Sequence, residues 1–249
     1  MLTLSNVSKR YGSSPPVLDQ INLVIDPGEF VSLIGPSGCG KSTLLKLISG
    51  LTSPSSGGIL IDGRAPVQAR KTISYIFQDA TLLPWRTVSR NVGLGLELEH
   101  VSRESRKRKV ESLIELVGLS HVARAYPRQL SGGMKMRVSV ARALATTPRL
   151  LLMDEPFGAL DEMTRDRLNE ELLRLRAEQN WTAVFVTHSV AEAVFLSTRI
   201  IVLAPSPGRI AQEITIPLPF PRTSATRESP QFDSFVTEVS RTLRGVHSA

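Results

Sequence analysis

The segment 35–42 constrains the possible fold more than any other part of this 249-residue chain. It has the pattern G-x-x-x-x-G-K-[ST] and consists of Gly35, Pro36, Ser37, Gly38, Cys39, Gly40, Lys41 and Ser42. The apolar run 30–34 before it predicts a strand, and the leucine spacing after it predicts a helix. A glycine-rich turn between a strand and a helix can direct backbone N–H groups at a phosphate. The sequence therefore predicts a phosphate-binding loop within an α/β fold.

The composition indicates a globular protein. Hydrophobic residues make up 41% of the chain, and the mean hydropathy is +0.00. The uncharged segment 47–61 contains glycines and a proline, so it cannot span a bilayer as a helix. No secretory signal opens the sequence, and we expect the protein to stay inside the cell. The net charge of +7 favours acidic partners such as nucleic acid, anionic lipid or a nucleotide, although it also suits simple solubility.

Further apolar runs indicate a sheet that is buried on both faces. They cover residues 73–77, 150–153, 183–186 and 200–203. Short apolar strands that alternate with helices are typical of a parallel sheet. Between residues 84 and 147 the pattern becomes helical, which predicts an inserted helical subdomain. Alternating residues before position 26 predict additional strands, and Asp62 with Gly63 predicts the turn of a short hairpin after the strand at Ile59 and Ile61.

The C-terminal part differs from the rest in composition. Prolines accumulate after residue 205, which predicts an edge strand and then an extended connector. Ser229 and Pro230 predict the start of a tail helix. Its apolar stripe consists of Phe232, Phe235, Val236, Val239 and Leu243. We therefore expect a main domain at 1–216 and a C-terminal connector with a tail helix at 217–249.

The polar residues at the end of the loop have predicted roles in binding a nucleotide. Lys41 would reach the β- and γ-phosphate oxygens, and the Ser42 hydroxyl would ligate Mg²⁺. Thr43 could contact the α-phosphate. These expectations assign one side of a nucleotide site to the start of the helix.

Two adjacent acids follow the predicted strand 150–153. Asp154 would face the bound Mg²⁺ through water, and Glu155 would polarise the water that attacks the γ-phosphoryl group. We therefore predict Asp154 as a metal ligand and Glu155 as the catalytic base. Without a phosphate loop, two acids at a strand end would be ordinary surface residues.

Gln78 and His188 follow two other predicted strands, at the same edge of the sheet. The Gln78 amide could contact the metal ion and the attacking water, and a neutral His188 could bond the γ-phosphate. A lone histidine is also often a structural residue.

Ser131, Gly132 and Gly133 predict a second anion site, because a serine cap and two glycines leave the first N–H groups of a helix uncovered. A capped helix with a flexible entry explains the same three residues.

In this order and spacing, the motifs resemble those of ATP-binding subunits of ABC transporters. The sequence is similar to the family at the Walker A loop 35–42, Gln78 of the Q-loop, the signature 130–134, Walker B at 150–154, the D-loop 159–161 and the switch histidine, His188. The resemblance implies a P-loop ABC ATPase fold with a mainly parallel sheet core, an antiparallel β subdomain and the helical subdomain. It also implies that Tyr11 stacks against adenine.

The resemblance further implies the partners. Two copies of such a subunit dimerise head to tail, so that Ser131, Gly132, Gly133 and Asp161 of one copy contact the Mg²⁺-ATP held by the other. The dimer would lie peripherally on the cytoplasmic face of the cell membrane, against two integral membrane permease subunits. An extracytoplasmic solute-binding protein would be an indirect partner, and no nucleic acid is expected. The segment 82–92, with Leu82, Leu83 and Trp85, would receive the coupling helix of the permease.

The segments 83–88, 130–137 and 153–161 are similar to those of bacterial importers for nitrate, sulfonate, taurine or bicarbonate. Similar subunits serve importers of a pyrimidine precursor of thiamine.

A protein of another functional class, a soluble ABC-type ATPase that acts on nucleic acid or ribosomes, would explain the sequence pI of 10.0 and the basic cluster 103–109. A metabolic P-loop kinase would leave residues 131–133 unexplained.

Overall fold

The computed structural model describes residues 1–205 and 207–247. The strands are β1 Leu2–Lys9, β2 Leu18–Ile25, β3 Phe30–Ile34, β4 Ser56–Ile61, β5 Ile73–Ile76, β6 Leu150–Asp154, β7 Thr182–Val186, β8 Arg199–Ala204 and β9 Arg209–Thr215. The helices are α1 Lys41–Ile48, α2 Pro66–Ala69, α3 Val88–Val92, α4 Leu94–Leu98, α5 Arg103–Leu116, α6 Gly132–Ala145, α7 Glu162–Gln179, α8 Val190–Leu196, α9 Ser224–Arg227 and α10 Pro230–His247.

The main sheet is parallel except at one edge. Its strand order is β5-β6-β7-β3-β8-β9, and only the edge strand β9 runs antiparallel to its neighbour. Every residue of β3, β6 and β7 is buried, as expected for central strands that are covered on both faces. Because β5, β6, β7 and β3 are parallel, the segments that follow them leave the sheet at the same edge. This edge contains the candidate site.

Alternate residues of the central strands point to opposite faces of the main sheet and pack in different cores. Leu151 and Phe185 pack in a core with the helices α3 to α8 and α10, whereas Leu152 and Val184 pack in a second core with α1 and the antiparallel sheet. This alternation follows from the period of two in a β-strand. The predicted fold class, a mainly parallel core with antiparallel and helical additions, is therefore confirmed.

The first strands form a separate antiparallel sheet with the order β2-β1-β4. The predicted hairpin at Asp62 and Gly63 closes with one pair of backbone hydrogen bonds, between Ile61 and Arg64, and gains no second strand. β4 pairs with β1 over Leu2 to Ser8, and beyond the turn at Asp62 and Gly63 there is only an isolated bridge between Ile61 and Arg64. The chain cannot continue as a second arm because Pro66 starts helix α2 four residues after the turn begins, so β4 takes its partner from the N-terminal strand instead.

Helices α3 to α6 lie between β5 and β6 in the chain. On α5 and its C-terminal end, the predicted apolar face is buried. It consists of Val110, Leu113, Ile114 and Val117. Ser102 caps this helix by accepting a hydrogen bond from the Ser105 N–H. Of the basic residues 103–109, Arg106 and Lys109 are half-buried and the others are exposed, where Glu104 pairs with Arg108 and Glu111 with Lys107.

The tail helix α10 packs against α8 and the main sheet through its apolar stripe, in which Phe232 and Val239 are buried. The Ser229 hydroxyl caps it by accepting from the Phe232 N–H. In the connector before it, Arg222 is buried and donates to the carbonyls of Val194, Phe195 and Ser197 at the end of α8. Within residues 1–205 and 207–247, no helix is both long and apolar enough to cross a bilayer.

Candidate functional site

The loop 35–42 connects β3 to α1 and turns sharply at its glycines. Gly40 has φ of 97°, in the left-handed region that favours glycine, and a Cβ there would lie 2.6 Å from Leu18 Cδ2. Gly40 is also the N-cap of α1 and offers no side chain to bond the first N–H groups of the helix. The start of α1 therefore presents backbone donors and the positive end of the helix dipole to the cavity.

Lys41 is the buried cation of this loop. Its Nζ donates to the carbonyls of Gly35 and Pro36, at 2.8 and 2.9 Å. These bonds fold the side chain back along the loop, so the ammonium lies within its turn. Cys39 is fully buried in the second core, and its Sγ lies 3.9 Å from Lys41 Nζ.

Asp154 ends strand β6 next to the start of α1. The Ser42 hydroxyl donates to its Oδ1 at 3.0 Å, and the Tyr75 hydroxyl lies 3.5 Å from its Oδ2. Burial raises the pKa of Asp154, with a smaller contribution from the adjacent Glu155 charge. A hydroxyl and a carboxylate side by side are the hard oxygen donors that suit Mg²⁺. Within the described residues this buried carboxylate forms no ion pair, which fits a cation at this position.

Glu155 follows directly and is held by residues from two other strand ends. His188 Nε2 lies 2.6 Å from Glu155 Oε1, and Gln78 Nε2 donates to Oε2 at 3.3 Å. Glu155 has φ of 48°, which is uncommon for a residue with a side chain. Its own N–H donates to the Val186 carbonyl of β7, which fixes this conformation. The carboxylate is thus oriented from both sides.

These side chains surround an open cavity of about 330 Å³ at the carboxyl edge of the sheet. The cavity is lined by Val17, Ser37, Gly38, Gly40, Lys41, Ser42, Thr43, Gln78, Glu155 and His188. Most of the predicted phosphate-binding and catalytic residues therefore meet at one place, and Asp154 touches it through Ser42. Of the loop, Gly35, Pro36 and Cys39 contribute backbone shape and packing rather than lining.

Some predicted residues lie outside this cavity. Tyr11 is in the exposed turn between β1 and β2, where Lys9 Nζ is 4.8 Å from the centre of its ring. Ser131 caps α6 by accepting from the Met134 N–H, and Asp161 caps α7 by accepting from the Thr164 N–H. A Cβ at Gly133 would lie 3.1 Å from Leu160 Cδ2. In a single chain, the residues 131–133 thus adjoin the segment 159–160 and do not line the cavity that contains Lys41.

Two residues near the site were not predicted from the sequence. Val17 lines the cavity from the connector before β2, and Tyr75 contacts Asp154 from β5. Burial raises the pKa of the Tyr75 hydroxyl, with a further contribution from Asp154. Neither residue belongs to a motif, and an apolar run such as 73–77 does not indicate which residue faces the neighbouring strand end.

The loop 83–87 beside the site is exposed but well ordered by hydrogen bonds. The Asn91 side chain, which is fully buried, accepts from the Leu83 N–H and donates to the carbonyls of Leu83, Arg86 and Thr87. Trp85 at the tip of this loop is 69% exposed. A fixed loop that presents a large aromatic side chain to solvent is typical of a contact surface.

Comparisons with known proteins agree with this geometry. The model of the ABC transporter family matches residues 18–158. The chain is 44% identical over 245 residues to the nitrate import ATP-binding protein NrtD of Synechocystis sp., covering 96% of this chain and 91% of the relative. It is also 44% identical over 231 residues to the aliphatic sulfonates import ATP-binding protein SsuB of Bacillus cereus, covering 92% of this chain and 90% of the relative.

Solved structures of ABC cassettes are also similar to this chain. The dimeric structure of a bacterial ABC transporter cassette superposes with a TM-score of 0.81 at 35% identity and covers 87% of this chain and 99% of that chain. A dimeric post-hydrolysis state of an ATP-binding cassette, bound to ADP and Pi, superposes with a TM-score of 0.80 at the same identity and coverage.

Proposed function

Because this chain belongs to the ABC transporter ATPase family and is an ATPase, we propose that it is the ATP-hydrolysing subunit of an importer for a small solute. The solute we propose is an anion of the nitrate or sulfonate kind, which two of its relatives import according to their names. The main structural support is the convergence of Lys41, Gln78, Asp154, Glu155 and His188 at one sheet edge.

The phosphate groups of ATP bind to the loop 35–42 in this proposal. Lys41 and the backbone donors at the start of α1 supply positive potential to the β- and γ-phosphate oxygens. Ser42 and, through water, Asp154 would hold Mg²⁺ with the nucleotide. When bound, the ion neutralises phosphate charge and polarises the phosphoryl group.

Glu155 accepts the proton of the attacking water. His188 and Gln78 orient its two oxygens, so the carboxylate needs no rearrangement before it accepts a proton. A neutral His188 can donate from only one ring nitrogen, so its contact with Glu155 fixes its tautomer. Because Nδ1 then carries no proton, only the Nε2–H could bond the γ-phosphate in the loaded enzyme, in place of its contact with Glu155.

A second copy of the chain completes the site. Ser131, Gly132 and Gly133 form an anion-binding helix start that lies apart from Lys41 in one chain, which is what a shared, head-to-tail site requires. Asp161 of the same copy lies in the adjoining turn. The two copies would close around ATP and separate after hydrolysis, and this cycle would drive transport.

The permease docks at the surface beside the Q-loop in this proposal. Asn91 holds the loop 83–87 so that Trp85 is presented to a partner, and Arg142 of α6 bonds the carbonyls of Ala80 and Thr81 just after Gln78. Movement of this surface is therefore linked to Gln78 and to the helix that starts at Gly132. The working place of the chain is the cytoplasmic face of the membrane, with an extracytoplasmic solute-binding protein as indirect partner.

The variant Glu155→Gln tests this function. It keeps the shape of the side chain but removes the proton acceptor, so ATP hydrolysis should fall by about 10²–10⁴-fold while ATP-driven dimerisation remains. Undiminished hydrolysis would contradict the assignment of Glu155. Recovery of the wild-type protein with a membrane permease supports import, whereas salt-sensitive recovery with nucleic acid would overturn it.

A further inference from the structure

Glu192 is a buried carboxylate that the proposed mechanism does not use. It lies on α8, one turn after His188, and is 6% exposed. Thr187 Oγ1 donates to its Oε2 at 2.5 Å. Burial raises the pKa of Glu192, and the Thr187 bond and the charges of Arg165 and Arg227 oppose this effect. A buried carboxylate is unfavourable unless its partners are well placed, so the partners indicate what it does.

One side of Glu192 leads to the turn before α7. Arg165 Nε lies 3.5 Å from Glu192 Oε1, and Arg165 Nη2 donates to the Leu160 carbonyl at 2.8 Å. Within the described residues, Arg165 Nε and Glu192 Oε1 are both buried without a hydrogen bond, although they face each other. A shift of a few tenths of an ångström would turn this ion pair into a charge-assisted hydrogen bond. The pair is therefore sensitive to the position of the turn at Leu160.

The other side of Glu192 leads to the catalytic residues. Besides donating to Glu192, Thr187 Oγ1 accepts from the Ser189 N–H at 3.0 Å, so the two neighbours of His188 are joined to each other. His188 Nε2 in turn lies 2.6 Å from Glu155 Oε1. A continuous network of polar contacts thus connects the Leu160 carbonyl, through Arg165, Glu192 and Thr187, to the backbone around His188. We refer to these three side chains as the network.

We propose that Arg165, Glu192 and Thr187 are positioning residues for ATP hydrolysis, which hold His188 against Glu155 and link this pair to the turn at Leu160. The inference rests on the proposed roles of Glu155 and His188. Since the turn at Leu160 adjoins Gly133 and Asp161, which face a second copy in the proposed dimer, the network makes the orientation of His188 depend on that contact.

The test is a set of conservative variants in the full chain. Thr187→Val removes the hydroxyl at nearly constant shape, and Thr187→Ser retains it. Arg165→Lys retains the charge, but a single ammonium cannot replace the planar fork that reaches both Leu160 and Glu192. Arg174→Lys is the matched control on the same helix, because Arg174 pairs with Glu171 and Glu178 at the exposed surface.

We expect Thr187→Val and Arg165→Lys each to lower kcat for ATP about tenfold, with KM within about twofold of the wild type. Thr187→Ser and Arg174→Lys should keep kcat within about twofold. The double variant Arg165→Lys/Thr187→Val should be little slower than either single variant, because both changes interrupt one network. Mg²⁺-ATP should raise the Tm of all variants by the same amount, which shows that each folds and binds.

Four results would overturn the inference: wild-type kcat in both Thr187→Val and Arg165→Lys, an equal loss in Thr187→Ser, a KM that rises as kcat falls, or multiplied losses in the double variant. The variant His188→Ala distinguishes these results from a failure of the proposed function. If it hydrolyses ATP at the wild-type rate, the proposed role of His188 is wrong, and the network has no catalytic pair to position. If it is inactive while the network variants are unaffected, only the network is wrong.

Discussion

Asp154→Asn should make the nucleotide-free protein more stable while removing its response to Mg²⁺-nucleotide. Asp154 is 5% exposed, and within the part of the chain that the structure describes it forms no ion pair. Its one short hydrogen bond comes from Ser42 at 3.0 Å. The carboxylate is therefore charged in a place where burial disfavours charge, and its pKa is raised accordingly.

The size of the effect follows from these contacts. A buried ion without a counter-ion costs several kcal/mol, and a hydrogen bond to a charged group offsets about 1.5–3 kcal/mol. Asparagine has nearly the same volume, carries no charge and still offers an oxygen to Ser42. We expect the free energy of unfolding to rise by about 1–2 kcal/mol, which corresponds to an increase in Tm of about 2–8 °C for a chain of this size.

Thermal unfolding with and without Mg²⁺-ATP is the assay, in the Glu155→Gln background so that the nucleotide persists. A ligand at 100 times its Kd stabilises the protein with Asp154 by about 2.7 kcal/mol, and most of this gain should be lost with asparagine. Asp19→Asn is the control, because Asp19 is paired with Arg209 and its replacement should not stabilise. A lower Tm of Asp154→Asn without nucleotide, or an undiminished shift with it, would refute the reasoning.

Other parts of the site give simpler expectations. Lys41→Ala removes the buried ammonium from the phosphate loop and should raise the Kd for ATP about 10–100-fold by calorimetry; unchanged affinity would rule out the phosphate role of the loop. Tyr11→Ala should weaken ATP binding about 3–10-fold whereas Tyr11→Phe should not, and equal affinities would remove Tyr11 from the adenine site. Trp85→Glu should abolish solute uptake in a reconstituted system and leave basal ATP hydrolysis unchanged, and persistent uptake would place the permease contact elsewhere.

The sequence predicts the parallel strands and the phosphate loop because each is determined locally. The runs 150–153 and 183–186 are apolar throughout, and only a doubly covered sheet buries such strands completely. The partner of β4 is different, because β2, β3 and α1 lie between it and β1 in the chain, and neither strand specifies the other. Only the isolated bridge beyond Asp62 and Gly63 corresponds to the hairpin that local turn residues indicate.

The site shows the same division between local and distant contacts. Lys41, Asp154 and His188 are predictable because they follow strands that end at one edge. The contact of His188 with Glu155 and the position of Gln78 on the other side depend on the spacing of three strands. Arg165 and Glu192 belong to helices whose packing brings them together, so a single sequence provides no signal for their contact.

The most direct test of the central claim is the structure of Glu155→Gln with Mg²⁺-ATP, in which the surroundings of the γ-phosphate are observed. We predict two copies arranged head to tail, with Ser131 and Gly133 of one copy within hydrogen-bond distance of the γ-phosphate bound by Lys41 of the other. A γ-phosphate surrounded only by residues of its own chain, with Ser131 of every copy facing solvent, would contradict the claim that the site is shared.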